Sequence, residues 1–270
     1  MRSRTVSTGT EVVAPRQIVA VDWSGRRSAV GAHLWIACSA WDGAIVLEHG
    51  MDRDAAIAHL VGLVEREPST LIGLDFAFSF PSWFFDHRGV TDVFGMWTHV
   101  AEHAERWLVD CPWPFWGRGA RLSPTTDAVL YRLTEQGIGA KSAFQLYYPG
   151  AVGASSLRGM PHLATLRAAG MHIWPFDTFA LPAVVEIYPR RFTGEVTKSS
   201  APARRAYLAS RYGPPADVNA CASEDAFDAY VSAREMGARL GHGAAFPVIS
   251  EPQLLLEGLI WDGTARASLA

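Results

Sequence analysis

The chain has 270 residues, of which 49% are hydrophobic and 19% are charged, and its formal net charge is -3. This composition predicts one large globular domain, and the slightly negative charge excludes a general basic field for binding nucleic acid. The sequence contains no apolar run of roughly 18 residues, so it predicts no membrane-spanning segment. Three widely spaced cysteines argue against a disulfide framework and favour a reducing, cytoplasmic location.

The first predicted elements form a βββαβ unit. Residues 1–16 are polar, lack the apolar segment of a signal peptide, and predict a disordered tail. Strands are predicted at 17–23, 33–38 and 44–48, with an Asp42-Gly43 turn between the last two, and a helix at 52–67 precedes a strand at 71–76. A strand, a crossover helix and a strand usually give parallel pairing.

The pattern changes after the fourth strand, where aromatic residues become frequent. We interpret residues from about 79 to 182 as a helical insertion that lies over the carboxyl end of the sheet, with helices at 93–109, 125–135 and 157–169. The aromatic side chains fit two explanations, core packing or a platform on which bases stack, where each stack contributes about 1–3 kcal/mol. Their spacing does not decide between the two.

The sheet resumes after the insertion. A strand is predicted at 183–188, helices at 203–211 and about 219–240, and a short strand at 259–261. The whole is predicted as a single α/β domain over residues 17–262, followed by a C-terminal tail at 263–270.

Three of the predicted strands carry one acidic residue at or near their ends: Asp22, Asp75 and Glu186. A buried carboxylate is costly unless it is paired or bound to a cation. For any one strand, a helix cap or an arginine partner is the simpler explanation. The repetition in three strands instead indicates a metal site.

The last long helix adds a pair of aspartates, Asp225 and Asp228, which lie three positions apart and therefore on one face. Ser223 as the N-cap and the helix dipole explain Asp225, but they do not explain Asp228 in the second turn. Carboxylates held close together repel each other, and Mg²⁺ or Mn²⁺ would remove that conflict. Two such ions about 3.5–4 Å apart can activate water and stabilise the leaving oxygen of a phosphodiester.

This arrangement resembles the RNase H-like superfamily, and the Asp-x-x-Asp pair is similar to its RuvC-like resolvase branch. More narrowly, the chain resembles the domain-of-unknown-function 429 family of predicted RNase H-like nucleases. The resembling segments are 19–25, 73–81, 142–146, 159–161, 185–189 with Phe192, Lys198 with 204–208, and 224–229. The resemblance implies an RNase H-like mixed sheet and a metal-dependent nuclease, a hydrolase that binds two Mg²⁺ or Mn²⁺ ions.

By this resemblance, Asp22, Asp75 and Asp228 form the metal-binding and catalytic core, and Asp225 assists them. Glu186 either binds the metal or orients a residue that does. Lys198 also belongs to the expected catalytic set, because it would contact the scissile phosphate or balance the acids; a surface lysine is the alternative.

Four arginines close to these positions in sequence are candidates for binding substrate phosphate. They are Arg190, Arg191, Arg204 and Arg205. A nucleic acid is the expected partner, whereas DNA or RNA, the mode of cutting, a small nucleotide as substrate and the oligomeric state are left open.

Two other classes of function remain. One is a non-catalytic RNase H-like binding module whose carboxylates are structural. The other is an ATP-dependent phosphotransferase related to the sugar kinases and heat-shock chaperones, although residues 22–25 are a poor phosphate loop and no second half follows. The spacing of His99 and His103 suits zinc, but Glu102 adjoins the second histidine, which favours a solvated helix face.

Overall fold

A computed structural model describes residues 14–40, 44–117, 128–148, 150–213 and 218–264. Most of the expected N-terminal tail, the Asp42-Gly43 turn, the start of the helix predicted at 125–135 and most of the C-terminal tail lie outside the described residues.

The centre of the structure is a six-stranded mixed sheet. Its strands are β1 (Gln17–Asp22), β2 (Trp35–Ala40), β3 (Ile45–His49), β4 (Thr70–Leu74), β5 (His172–Ile173) and β6 (Ala183–Glu186), in the order β3-β2-β1-β4-β6-β5. The pairs β1-β2 and β2-β3 are antiparallel, and β1-β4, β4-β6 and β6-β5 are parallel. The predicted α/β class and the opening order βββαβ are therefore confirmed.

Helices cover both faces of this sheet. They are α1 (Arg53–Arg66), α2 (Trp83–Arg88), α3 (Val93–Asp110), α4 (Gly153–Ala168), α5 (Arg190–Thr193), α6 (Ala201–Tyr212), α7 (Glu224–Gly241) and α8 (Pro252–Glu257). On β1, Val19 and Val21 face the core that contains α1, α3 and α4, whereas Ile18 and Ala20 face the core of α6 and α7. Because both faces are covered, the strand is continuously apolar rather than alternating.

Close packing of α7 on the sheet depends on a glycine in β4. A Cβ built on Gly73 would lie 2.7 Å from the Sδ atom of Met236 and 2.9 Å from the Cγ2 atom of Ile187. Only glycine therefore leaves room for Met236 against the strand in this arrangement.

Three predicted elements are wrong or shifted. The described part of the helix predicted at 125–135 consists of two 3-10 turns, Ala128–Leu130 and Leu133–Glu135, because Arg132 between them has an extended backbone and turns its side chain into the interior. The predicted strand at 259–261 is a single bridge between Ile260 and Glu186. The last long helix begins at Glu224, where the hydroxyl of Ser223 accepts a hydrogen bond from the Ala226 amide at 2.9 Å.

The insertion differs from its expected position. Helices α3 and α4 pack beside α1 on one face of the sheet, and the part that reaches the carboxyl edge comes from the segment 132–155. Most of its aromatic rings belong to the core: Phe80, Phe84, Trp97, Trp107, Phe115, Trp116 and Phe144 are all buried. These rings pack the core and are not accessible to bases, although Trp113 is 50% exposed. Among the described helices, each is too short or too polar to cross a membrane.

Candidate active site

An open cleft lies at the carboxyl edge of the parallel strands. Acidic residues of the predicted site line it, namely Asp22, Asp75, Glu186, Asp225 and Asp228, together with Lys198 and Arg190. Its volume of ≈ 430 Å³ lies within the range of ligand sites, about 300–1,000 Å³. The fold thus brings together residues as far apart in the sequence as Asp22 and Asp228.

The strand register places Asp22 beside Asp75. Val21 pairs with Leu74 in parallel, and the Asp75 amide donates a hydrogen bond to the Val21 carbonyl at 3.1 Å, so both acids leave the sheet at the same edge. Burial, followed by the charge of Asp228, raises the pKa of Asp75 to about 8. Burial and then the charges of Asp75 and Asp228 raise the pKa of Asp22 well above its usual range. Neighbouring acids and low solvation therefore oppose full ionisation of this pair.

Asp228 completes the set from the second turn of α7. Its side chain is 10% exposed, and its Oδ2 atom accepts a hydrogen bond from the ammonium of Lys198. The Oδ1 atom is buried and has no hydrogen-bond partner among the described residues. Burial raises the pKa of Asp228 to about 6, although the charge of Lys198 acts in the opposite direction. An unpartnered buried carboxylate oxygen is costly, and a cation in the cleft would relieve that cost.

Asp225 lies nearer the surface and has a partner of its own. Its Oδ2 atom is 2.9 Å from the Nδ1 atom of His33, and its side chain is 30% exposed. No sequence pattern indicates this pairing, since His33 comes just before β2 and lies 192 positions away from Asp225. The arrangement is consistent with the assisting role expected of Asp225.

Both carboxylate oxygens of Glu186 are occupied. Arg132 donates from Nη1 to Oε2 at 2.8 Å and from Nη2 to Oε1 at 2.5 Å. The amide of Phe78 also donates to Oε2, at 2.9 Å. Direct binding of a metal by Glu186 would require some of these hydrogen bonds to break, and its other expected role, orientation of a residue that binds the metal, stays a prediction.

Arg132 is a site residue that the sequence analysis missed. It is 1% exposed and also bonds to Glu135 at 2.8 Å and to the Glu257 carbonyl at 3.0 Å. Burial lowers its pKa, but the charges of Glu135 and Glu186 outweigh burial, and the net pKa is raised. Burial raises the pKa of Glu135 to about 7, against the effect of Arg132. A lone arginine in a segment predicted to be helical carried no signal of this role.

Lys198 lies among the acids and is not a surface lysine. Its side chain is 20% exposed. Burial lowers the pKa of Lys198, but the charge of Asp228 and its hydrogen bond to the ammonium raise it, and Asp75 and Asp22 act in the same direction. The net pKa of Lys198 is raised. Of the alternatives left open by the sequence, the balancing of the acids matches this geometry.

Only one of the four predicted phosphate-binding arginines lines the cleft, and that one is Arg190, which is exposed. Arg191 pairs with Asp262 at 2.6 Å, outside the cleft. Arg204 is buried and donates to the carbonyls of Cys221 and Lys198, so the prediction is wrong for it. Arg205 is exposed on α6 and does not line the cleft.

The tightest group of possible metal ligands in the described residues lies elsewhere. His99, Glu102 and His103 on α3 each offer a ligand atom, and these atoms lie within 4.8 Å of one another; the aspartates of the cleft do not form such a group. The rings of His99 and His103 stack at 4.2 Å, and the Nε2 atom of His99 is buried without a partner among the described residues. The expected solvated helix face is therefore wrong for His99, which is half-buried.

Comparisons of this chain with protein-family models, with curated proteins and with solved structures found no match. The cleft must therefore be interpreted from its own chemistry. Its donor set consists of carboxylate oxygens, the ligands that Mg²⁺ and Mn²⁺ prefer, and it includes one buried oxygen without a partner.

Proposed function

We propose that this chain is a metal-dependent hydrolase of phosphodiester bonds, with an RNase H-like fold and Asp22, Asp75 and Asp228 as its metal ligands. The observation that carries this proposal is the convergence of three acids with raised pKa values, one of which has an unpartnered buried oxygen. The element order βββαβ and the acids at the ends of β1 and β4 support the fold assignment. They equally support the resemblance to the predicted RNase H-like nucleases.

The chemistry that one or two Mg²⁺ or Mn²⁺ ions would supply here is activation of water and stabilisation of the leaving oxygen. The residues of the chain would bind the ions and hold the neighbouring backbone in place. Asp22, Asp75 and Asp228 would hold the ions, while Glu186 fixes the backbone of Phe78 after β4. The exposed guanidinium of Arg190 lines the cleft, where it would attract the phosphates of a substrate.

A nucleic acid, either DNA or RNA, is the substrate class that we propose, because a phosphodiester is the group that this chemistry attacks. Local cations would hold it, since the net charge of -3 does not. The volume of the cleft would also accommodate a small nucleotide. A cytoplasmic location remains part of the proposal.

The test does not depend on the identity of the substrate. Thermal unfolding of the wild type and of Asp75→Asn would be followed against Mg²⁺ and Mn²⁺ concentration. An ion that binds only the native state stabilises it by about 2.7 kcal/mol at 100 times its Kd. We expect stabilisation of the wild type that disappears in Asp75→Asn and persists in Asp86→Asn, a control in the exposed part of α2.

The opposite result favours a non-catalytic binding module. No stabilisation of the wild type by either ion, together with a more stable Asp75→Asn, would mean that the carboxylates only repel one another. The observation in favour of this alternative is that Lys198 already neutralises part of the acidic charge.

The phosphotransferase alternative receives less support. The turn after β1, which would have to cradle phosphates, packs against α4. A Cβ built on Gly25 would lie 2.5 Å from the backbone nitrogen of Ser155 and 2.8 Å from the carbonyl carbon of Ala154. The turn and the helix therefore leave no space for a phosphate between them.

A further inference from the structure

Lys198 places a positive charge among Asp22, Asp75 and Asp228, the three acids proposed to hold the metal. Its ammonium bonds to Asp228, and its charge lowers the pKa values of Asp22 and Asp75 against the effect of burial. One ammonium thus stabilises the ionised forms of three carboxylates, which lie at the ends of β1 and β4 and on α7. Like a bound metal ion, the ammonium places a positive charge beside these carboxylates.

The backbone of Lys198 is fixed, whereas its side chain hydrogen-bonds to a single residue, Asp228, within the described part of the chain. The buried guanidinium of Arg204 donates to the Lys198 carbonyl, and Arg190 donates to the nearby Val196 carbonyl at 3.2 Å. The hydroxyl of Ser200 then caps α6 by accepting from the Ala203 amide. The lysine side chain has a flexible four-carbon stem, so its ammonium can leave Asp228 without any change in this backbone.

On the basis of the proposed function, we propose that Lys198 is an exchangeable counter-ion: a divalent cation displaces its ammonium from Asp228, and the freed ammonium then contacts the phosphate of the substrate. The ammonium already holds Oδ2 of Asp228, so an ion bound by the same carboxylate would place two positive charges side by side, and the ammonium on its flexible stem would be the one to leave. Binding of the metal therefore places a cation at the cleft surface, where a phosphate arrives. Lys198 is in this view a residue that contacts the substrate and whose place depends on the metal.

The second lysine of the chain provides an internal control. The sequence contains only Lys141 and Lys198, and both line the cleft. Lys141 is exposed, and it makes no ion pair in the part of the chain that the structure describes. A reagent selective for amines therefore reports one protected and one accessible lysine of the same cleft.

The experiment is acetylation of the intact protein with Mn²⁺ or with chelator, followed by mass spectrometry of the two lysines. The reaction is run at about pH 8 with the same reagent concentration in both samples. We expect Lys198 to react slowly with chelator and severalfold faster, relative to Lys141, with Mn²⁺. Asp75→Asn should abolish that increase. An unchanged ratio in a wild type that Mn²⁺ stabilises would overturn the inference and leave the proposed function intact.

A variant gives a second and independent readout. Lys198→Gln removes the competing charge, so the Mn²⁺ concentration for half-maximal thermal stabilisation should fall, by about tenfold for a charge pair of this proximity. Lys141→Gln should leave it nearly unchanged. A higher Mn²⁺ requirement in Lys198→Gln would overturn the inference, since it would mean that Lys198 assists binding of the ion. No Mn²⁺ response in the wild type or in either variant would reject the proposed function as well.

Discussion

Arg132 and Glu186 form a bidentate ion pair, although they lie 54 positions apart in the sequence and both are almost fully buried. Glu186 also accepts a hydrogen bond from the Phe78 amide, and Arg132 also donates to Glu135 and to the Glu257 carbonyl. Both oxygens of the carboxylate at the end of β6 are thus occupied, whereas Asp228 on α7 keeps one oxygen without a partner among the described residues.

Replacement of Arg132 by methionine should destabilise the protein strongly. The change would leave Glu135 and Glu186 buried without their cation, and the loss of one partner of a buried pair typically costs about 3–5 kcal/mol. Urea unfolding of Arg132→Met should show this loss. Arg205→Met, on the exposed side of α6, should remain within about 0.5 kcal/mol of the wild type. Equal effects of the two changes would contradict the role given to Arg132.

The stability of the metal-free protein should fall as the pH rises from acidic to mildly basic values. Burial and Asp228 raise the pKa of Asp75 to about 8, whereas the unfolded chain titrates near the ordinary value of about 3.9. Between these values the native state holds the proton and the unfolded state does not, so each increase in pH favours unfolding. Asp228 contributes to this fall in stability only up to a lower pH, because its pKa in the native state is about 6.

Asp75→Asn isolates the contribution of that carboxyl. In the presence of chelator, the variant should be close to the wild type at about pH 4 and more stable at about pH 8, by on the order of 1–2 kcal/mol after allowance for solvent screening. Thermal unfolding across this range, plotted as the difference between the two proteins, checks the expectation. A difference that does not vary with pH would show that Asp75 is not protonated in the native state.

Two glycine substitutions should have opposite signs. Gly25→Ala places a Cβ against the backbone of α4, which cannot move as a side chain can, so overpacking should cost about 1–3 kcal/mol. Gly62→Ala lies within α1, where the nearest atom to the new Cβ is the Arg66 Nη1 at 3.4 Å, and it should stabilise the helix by about 0.5–1 kcal/mol. Chemical denaturation of both variants tests the contact between the turn after β1 and α4.

Arg190 should contribute to nucleic-acid affinity without selecting a sequence. Its exposed guanidinium lines the cleft, and each phosphate contact changes the slope of log affinity against log salt by about one. Arg190→Ala should reduce that slope for a single-stranded oligonucleotide, whereas Arg205→Ala should not. The same slope for both variants would mean that the cleft does not bind the backbone through Arg190.

The sequence predicts much of the fold, because the signals are local. An apolar run that ends in an acid is visible at Asp22 and Asp75, and the helical spacing of Asp225 and Asp228 is visible as well. The partners of these acids are not visible. His33 lies 192 positions from Asp225, and whether an arginine faces the cleft like Arg190 or the core like Arg204 depends on how α5 and α6 pack.

The contact between Gly73 and Met236 joins the cleft to the interior of the protein. Asp228 and Met236 lie on the same helix, eight residues or about 12 Å apart along its axis, and the absent side chain of Gly73 determines how far α7 settles onto the sheet. The packing of Met236 against Gly73 therefore helps to set the distance between Asp228 and the acids at the ends of β1 and β4. Repacking at Met236 would therefore change the spacing of the three carboxylates without altering any of them.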